Sequence, residues 1–213
     1  MKHFLTLTFV VASLFAASQT KDQPDGEIRG TVTDKNGSAV PAATVYAVPQ
    51  DTFDGITPRS IKTDGNGEFD FRGGFQLGAY KLYSRKDGDA YPDRSDGFYA
   101  DSRAEAPRVD LTEDHPSATV TVTLGEKAGL LVGRVIDADT GAALKAKLVF
   151  MDEDGNDHSV FVNGKYRALL PAGKDVTLMV IVMSPDYRSQ LPVAPLRLEP
   201  GQEMDMDIPL SKQ

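Results

Sequence analysis

The densest run of oxygen ligands in the chain is Asp152-Glu153-Asp154-Gly155-Asn156-Asp157, with Asp152, Asp154 and Asn156 at alternating positions. Carboxylates and an amide spaced this way around a glycine resemble the opening of an EF-hand calcium loop. Such a loop closes on a bidentate Glu at its twelfth position. Counted from Asp152, that position is Asn163, which has no carboxylate to offer. Asp152, Asp154 and Asn156 are thus at most a weak calcium candidate, and the expectation is an exposed hairpin turn with no resident metal. A second such stretch, TDGNGEFDF at 63–71, reads the same way. Gly65 and Gly67 can take positive φ, Asp64 and Asn66 can bond backbone amides across the turn, and Phe69 and Phe71 enter the next strand as core anchors.

Other chemistries find little support. Zinc or haem needs thiolate or imidazole ligands, and the chain has no Cys and three His. His115 and His158 lie far apart in sequence without ligand spacing. His158 and Ser159 are neighbours on an expected strand and therefore point to opposite faces, so they form no nucleophile–base pair. Asp and Glu are plentiful enough for a small hydrolase, but no pair stands out. No catalytic residue and no cofactor are expected.

The candidate binding residues are aromatic. Residues 84–117 form a long segment with nine acidic and five basic residues, in which Tyr91, Phe98 and Tyr99 sit among Asp, Arg and Gly. A connection this long in a compact domain is usually functional or disordered. Rings beside Asp and Arg suit a pyranose, with stacking on the sugar face and hydrogen bonds to its hydroxyls. Tyr187, in the shorter segment 184–201, is the corresponding candidate. The alternative is that these rings pin their loops to the edge of the fold.

The elements that must position these residues are strands. Ile28, Gly30 and Val32 alternate with Arg29, Thr31 and Thr33; ATVTVTL at 118–124 and EMDMDIPL at 203–210 alternate as strictly. One buried and one wet face suits an antiparallel sheet. VTLMVIVM at 176–183 is apolar throughout and reads as a buried strand, too short to span a bilayer. Turn residues separate the runs: DKNG, DGNG, DADTG, EDGND and PAG.

The chain also repeats itself. Ile28 to Asp34 recurs as Leu131 to Asp137, with Gly30 matching Gly133. Gly67-Glu68-Phe69 recurs as Gly164-Lys165-Tyr166. Two tandem units are expected, 26–127 and 128–213. Ahead of them, residues 1–18 read as a signal peptide: a basic start, an apolar run from Phe4 to Phe15, and Ala16 and Ser18 placing the cut after Ser18. The expected location is secreted or periplasmic, with no transmembrane segment after cleavage. Loss of Lys2 takes the net charge from −8 to −9, and without a basic patch nucleic acid is not an expected partner.

The spacing Gly30-x-Val32-x-Asp34-x-x-Gly37 with Ala42-x-x-Val45, then Thr63-Asp64-x-x-Gly67-x-Phe69, then Leu77-Gly78-x-Tyr80-x-Leu82, resembles the carboxypeptidase regulatory-like domain. The second unit keeps Gly133, Val135, Asp137, Gly141, Ala146 and Val149 and degenerates later. The resemblance implies an all-β fold of two tandem Greek-key sandwiches of the transthyretin-like (prealbumin-like, carbohydrate-binding-like) type. It also implies an accessory, spacer or adhesion role without peptidase activity. Expected partners are a polysaccharide or another exported protein. Three other readings stay open: a carbohydrate-binding module using the loop aromatics, a small hydrolase, and a protein-interaction module acting by strand addition.

Overall fold

A computed structural model of the chain describes residues 25–50, 58–93, 96–99, 106–188 and 195–213; the expected leader lies outside them. The fold is all-β. In the first half, β1 (Gly26–Thr33) lies between β4 (Glu68–Phe75), antiparallel to it, and β7 (Ser117–Thr123), parallel to it. A second sheet runs β3 (Arg59–Lys62), β2 (Thr44–Pro49), β5 (Gly78–Arg85), β6 (Arg108–Leu111), all antiparallel. The inward residues of the two sheets make one core, in which Ile28, Val32, Phe69 and Phe71 meet Val45, Leu82 and Val109.

The pairing recurs in the second half. β8 (Gly129–Asp137) pairs antiparallel with β11 (Lys165–Leu170) and parallel with β13 (Glu203–Asp205) and β14 (Ile208–Leu210). β9 (Lys145–Asp152) lies between β10 (Asp157–Asn163) and β12 (Val176–Val182). β10 and β11 are joined by a tight turn and pair only at Asn163 and Lys165. Beyond that point their two sheets separate around a core of Leu131, Val135, Leu148, Phe150, Leu178 and Val180.

The glycines at equivalent places explain part of the repeat. Gly30 lies opposite Phe69, and a Cβ there would stand 1.7 Å from the Val120 carbonyl oxygen. Gly133 lies opposite Tyr166, and its Cβ would stand 2.0 Å from the Met206 carbonyl oxygen. In both halves an aromatic ring and the last strand close on the first strand, and any side chain would force them apart.

Three expectations are corrected. The sheets are mixed, because the Greek-key path returns the last strand of each half alongside the first in the same direction. The run at 203–210 is broken in two, with Asp207 at the break accepting hydrogen bonds from the Arg134 amide and guanidinium. VTLMVIVM is buried on one face only. Val176, Leu178 and Val180 are in the core, whereas Met179 and Ile181 are half-buried and Met183 is 58% exposed.

Candidate functional site

The two ligand-like loops are turns whose oxygens are already used. Asp64 Oδ1 accepts from the amides of Asn66 and Glu68, at 2.9 and 2.8 Å. Its neighbour Thr63 is buried, donating to the Val40 carbonyl and accepting from the Ala43 amide. Only Gly67 has positive φ, 75°; Gly65 does not need it. Phe69 and Phe71 are buried, edge to face.

In the 152–157 turn, Asp152 Oδ1 accepts from the amides of Asp154 and Asn156. The Lys174 ammonium sits 2.7 Å from Asp154 Oδ2 and 3.8 Å from Asp152 Oδ2. The Lys174 ammonium thus occupies the carboxylates of the weak calcium candidate, and turn amides take Asp152 Oδ1. Despite burial, the hydrogen bonds from Asn156 and the charge of Lys174 hold the Asp152 carboxyl below the usual carboxylate range. Among the described residues, no group of three or more His, Asp and Glu is placed to hold a metal ion.

The long segment after β5 goes elsewhere than to solvent. A short 3-10 turn, Asp87–Asp89, ends on Ala90 in left-handed conformation, φ 64°. Lys86 and Tyr91 bridge, and the Ala128 amide donates to the Ala90 carbonyl at the connection between the halves. Tyr91 is half-buried under the Lys127 ammonium, 5.4 Å from its ring centroid.

Phe98 and Tyr99 then cross into the second half. They are 1% and 8% exposed and belong to its core. Phe98 stacks on His158 of β10, with ring centroids 5.6 Å apart. The Tyr99 hydroxyl donates to the Leu169 carbonyl of β11 at 2.8 Å, and its burial raises its pKa. Asp96 shapes the approach. Its Oδ1 accepts from the Phe98 amide at 3.0 Å, and its Oδ2 is 3.0 Å from His158 Nδ1. Arg167 of β11 donates to the Asp87 carbonyl. The two rings thus fill the gap that opens between β10 and β11 beyond their turn. Neither ring leaves a face for a sugar, so their geometry fits the packing alternative.

Tyr187 is also engaged. It bridges Lys212, and its hydroxyl donates to Asp137 Oδ2 at 2.6 Å. Asp137 Oδ1 meanwhile accepts from the Thr140 hydroxyl and from the amides of Asp139 and Thr140. These donors hold the Asp137 carboxyl well below the usual range, and the Tyr187 phenol is pushed up to about 12, chiefly by its bond to Asp137.

The corresponding gap in the first half is open. A groove of ≈ 820 Å³ runs along β3 and β4, with Arg59 and Lys62 on one wall and Glu68, Asp70 and Arg72 on the other. Phe69, Phe71 and Ile61 also line it, and it extends to Arg29 and Thr119. Arg59 closes one end, donating to the Gly73 carbonyl, with its guanidinium carbon 4.3 Å from the Phe75 ring centroid. The groove can offer hydrogen bonds of both signs and apolar contact, but no activated nucleophile. Sequence reasoning missed it because residues of four strands, from Arg29 to Thr119, build it; the one visible signal was Arg29, outward on β1 beside Glu27, Thr31 and Thr33.

Residues 27–126 match the family model of the carboxypeptidase regulatory-like domain. No curated protein matches the chain. Among solved structures, it is similar to a streptococcal ancillary pilin at 18% identity and a TM-score of 0.40, over 91% of this chain and 64% of that one. It is also similar to the minor pilin of Streptococcus agalactiae, at 13% identity and a TM-score of 0.41, over 88% of this chain and 96% of the pilin. A shaft pilin of Lactobacillus rhamnosus GG is similar at 9% identity and a TM-score of 0.38, over 89% and 98% of the two chains. Among the described residues no helix is long and apolar enough to cross a membrane.

Proposed function

We propose that this chain is an exported, non-enzymatic spacer in which two carboxypeptidase regulatory-like sandwiches, 26–127 and 128–213, are locked into one stiff body. The observation that carries this reading is the burial of Phe98 and Tyr99, from the first unit, in the core of the second. Linkers between independent domains are exposed and cross few contacts. Here the connection is short, Leu124 and Ala128 on either side of it are buried, and a loop of one unit completes the other. Relative motion of the units would expose two aromatic side chains, each of which stabilises its buried position by about 1.5–3 kcal/mol.

The pairing of β8, which repeats that of β1, supports the two-unit reading, as do the equivalent glycines Gly30 and Gly133. The apolar leader at 1–18 supports export. The bonded turns at Asp64 and Asp152 support a role without resident metal chemistry. Recognition, where the spacer engages a partner, falls to surfaces presented by the stiff body.

The test is expression of the full chain in a secreting host. The exported form is expected to begin at Gln19. It should neither turn over a broad panel of glycan, ester and peptide substrates nor be retained on immobilised polysaccharides. Turnover abolished by a single carboxylate change would replace the spacer by a hydrolase. Retention abolished by Tyr91→Ala would replace it by a carbohydrate-binding module.

A further inference from the structure

We infer that two copies of this chain associate through the outer face of the β10–β9–β12 sheet, stacked face to face with their strands antiparallel. The register puts Val149 and Met151 of β9, Phe161 of β10, and Met179, Ile181 and Met183 at the end of the fold's most apolar run on one side of this sheet. Phe161 is 71% exposed, and it, Met183 and Met151 are the large hydrophobic side chains left exposed among the described residues. The sandwich does not demand this. The equivalent face of the first half carries Ser60 and Lys62 of β3, Thr44, Tyr46 and Val48 of β2, and Lys81, Tyr83 and Arg85 of β5, so charged and hydroxylated side chains interrupt it on every strand. A contiguous apolar patch on one of two equivalent faces marks a contact surface.

The charges on the face select the partner and its orientation. Lys145 and Lys147 stand at one end of the strands, with Lys147 5.8 Å from the Phe161 ring centroid; Asp157 stands at the other end, opposite Met151. Two identical faces can meet about a two-fold axis lying in the contact plane. An axis along the strands would set Lys145 on Lys145 and Lys147 on Lys147, which like-charge repulsion disfavours. An axis across the strands keeps β9 over β9 but reverses its direction. Lys145 then comes over the Met151 end, beside Asp157 of the other copy, and Met179 meets Ile181. Lys147 comes over Val149, so the charge complementarity rests on the two Lys145–Asp157 pairs.

Its size sets the strength. Three strands about 4.8 Å apart, over four outward residues about 6.8 Å apart, give a face of roughly 350 Å² per copy. Two such faces fall short of the about 1,200 Å² of a stable complex, so the dimer is weak and forms only at high concentration, as on a crowded surface.

Analytical ultracentrifugation of the mature chain tests this, over concentrations from about 5 to about 500 μM, which brackets a weak interface. A reversible monomer–dimer equilibrium is expected. Phe161→Glu and Met179→Glu should each shift its midpoint at least about tenfold upwards, as desolvated hot-spot residues do. Lys145→Asp should weaken it, and Lys145→Asp combined with Asp157→Lys should restore it. These side chains face outward, so an unchanged melting curve separates lost association from lost folding. A monomer at every concentration would overturn the proposal. So would a dimer indifferent to Phe161→Glu, Met179→Glu and Lys145→Asp alike, or loss of the patch to phosphatidylcholine vesicles without dimerisation.

Discussion

Between β3 and β4 the first half of the molecule keeps an open groove rimmed by Arg59, Lys62 and Glu68; between β10 and β11 the second half holds the rings of Phe98 and Tyr99. The two places are equivalent in strand order. In each, a tight turn leads from the edge strand of one sheet to the edge strand of the other, and the sheets part beyond it. The resulting gap leaves strand edges and core rings in need of cover. The first half covers part of it with its own arginine, and the second half with a loop borrowed from the first. A gap closed by a residue of the same unit leaves that unit self-sufficient. A gap closed by another unit ties the two together. The difference between the halves therefore lies in their connection: Phe98 and Tyr99 complete the core of the second half, whereas the core of the first is built from its own residues.

Emptying the filled gap carries the largest expected effect. Phe98→Ala removes a fully buried ring and is expected to destabilise the second half by about 3–5 kcal/mol. The first half should lose little. Urea unfolding followed by far-ultraviolet circular dichroism should change from one transition to two, with the second half melting first. A single transition at an unchanged midpoint would show that the ring is not part of the second core.

Next in size is a test of the shared plan. Gly30→Ala and Gly133→Ala each put a Cβ against a carbonyl of the last strand, and overpacking of this kind costs about 1–3 kcal/mol. Each should lower the melting temperature and accelerate hydrogen exchange first in its own half. The Gly133 change should unfold the second half ahead of the first, whose own core of Ile28, Val32, Phe69, Val45 and Leu82 it leaves untouched. A smaller effect belongs to the tether. Asp96→Ala removes the bond to His158 and the one to the Phe98 amide, and should cost about 1 kcal/mol. Hydrogen exchange should then accelerate at residues 96–99 before it does anywhere in β10.

The smallest effects are at the pH extremes. The folded Asp137 carboxyl has a depressed pKa. Its contribution is therefore complete above the ordinary value of about 3.9 and is lost as pH falls below it. The Tyr187 phenol has a raised one, so its contribution is complete below the ordinary value of about 10 and is lost as pH rises through about 12. Between those limits the Asp137–Tyr187 pair should contribute in full to the melting temperature. Tyr187→Phe should remove the alkaline loss assigned to this residue, read by phenolate absorbance.

Much of the fold was legible in the sequence because its signals are local. Alternation in 28–33 and 118–124 gave strands whose burial follows the pattern, and Asp34, Asp64 and Asp137 each bond amides two to four residues ahead. The direction of the last strand was not legible, since alternation says which face is buried and nothing about the neighbour. Nor was the joint. Asp96 meets His158 across 62 residues and Tyr99 meets Leu169 across 70, and no spacing rule connects them. Phe98 and Tyr99 stand out in the sequence as candidate binding residues, but an aromatic pair in an acidic loop looks the same whether it awaits a sugar or fills a neighbour's core. The outward methionines of 176–183 were visible as apolar residues and read as buried, because a strand apolar on both faces is ordinarily covered on both.

On the proposed reading, Phe98 and Tyr99 lock the two units so that they move as one body. The chain has no cysteine, so two spin labels can be placed at will, and Asn36→Cys and Glu153→Cys put them on exposed turns, one in each half. Pulsed dipolar spectroscopy on the mature protein should give one narrow distance distribution, which broadens when Phe98 and Tyr99 are both changed to Ala. A broad distribution in the unaltered protein, no wider after the change, would contradict the account.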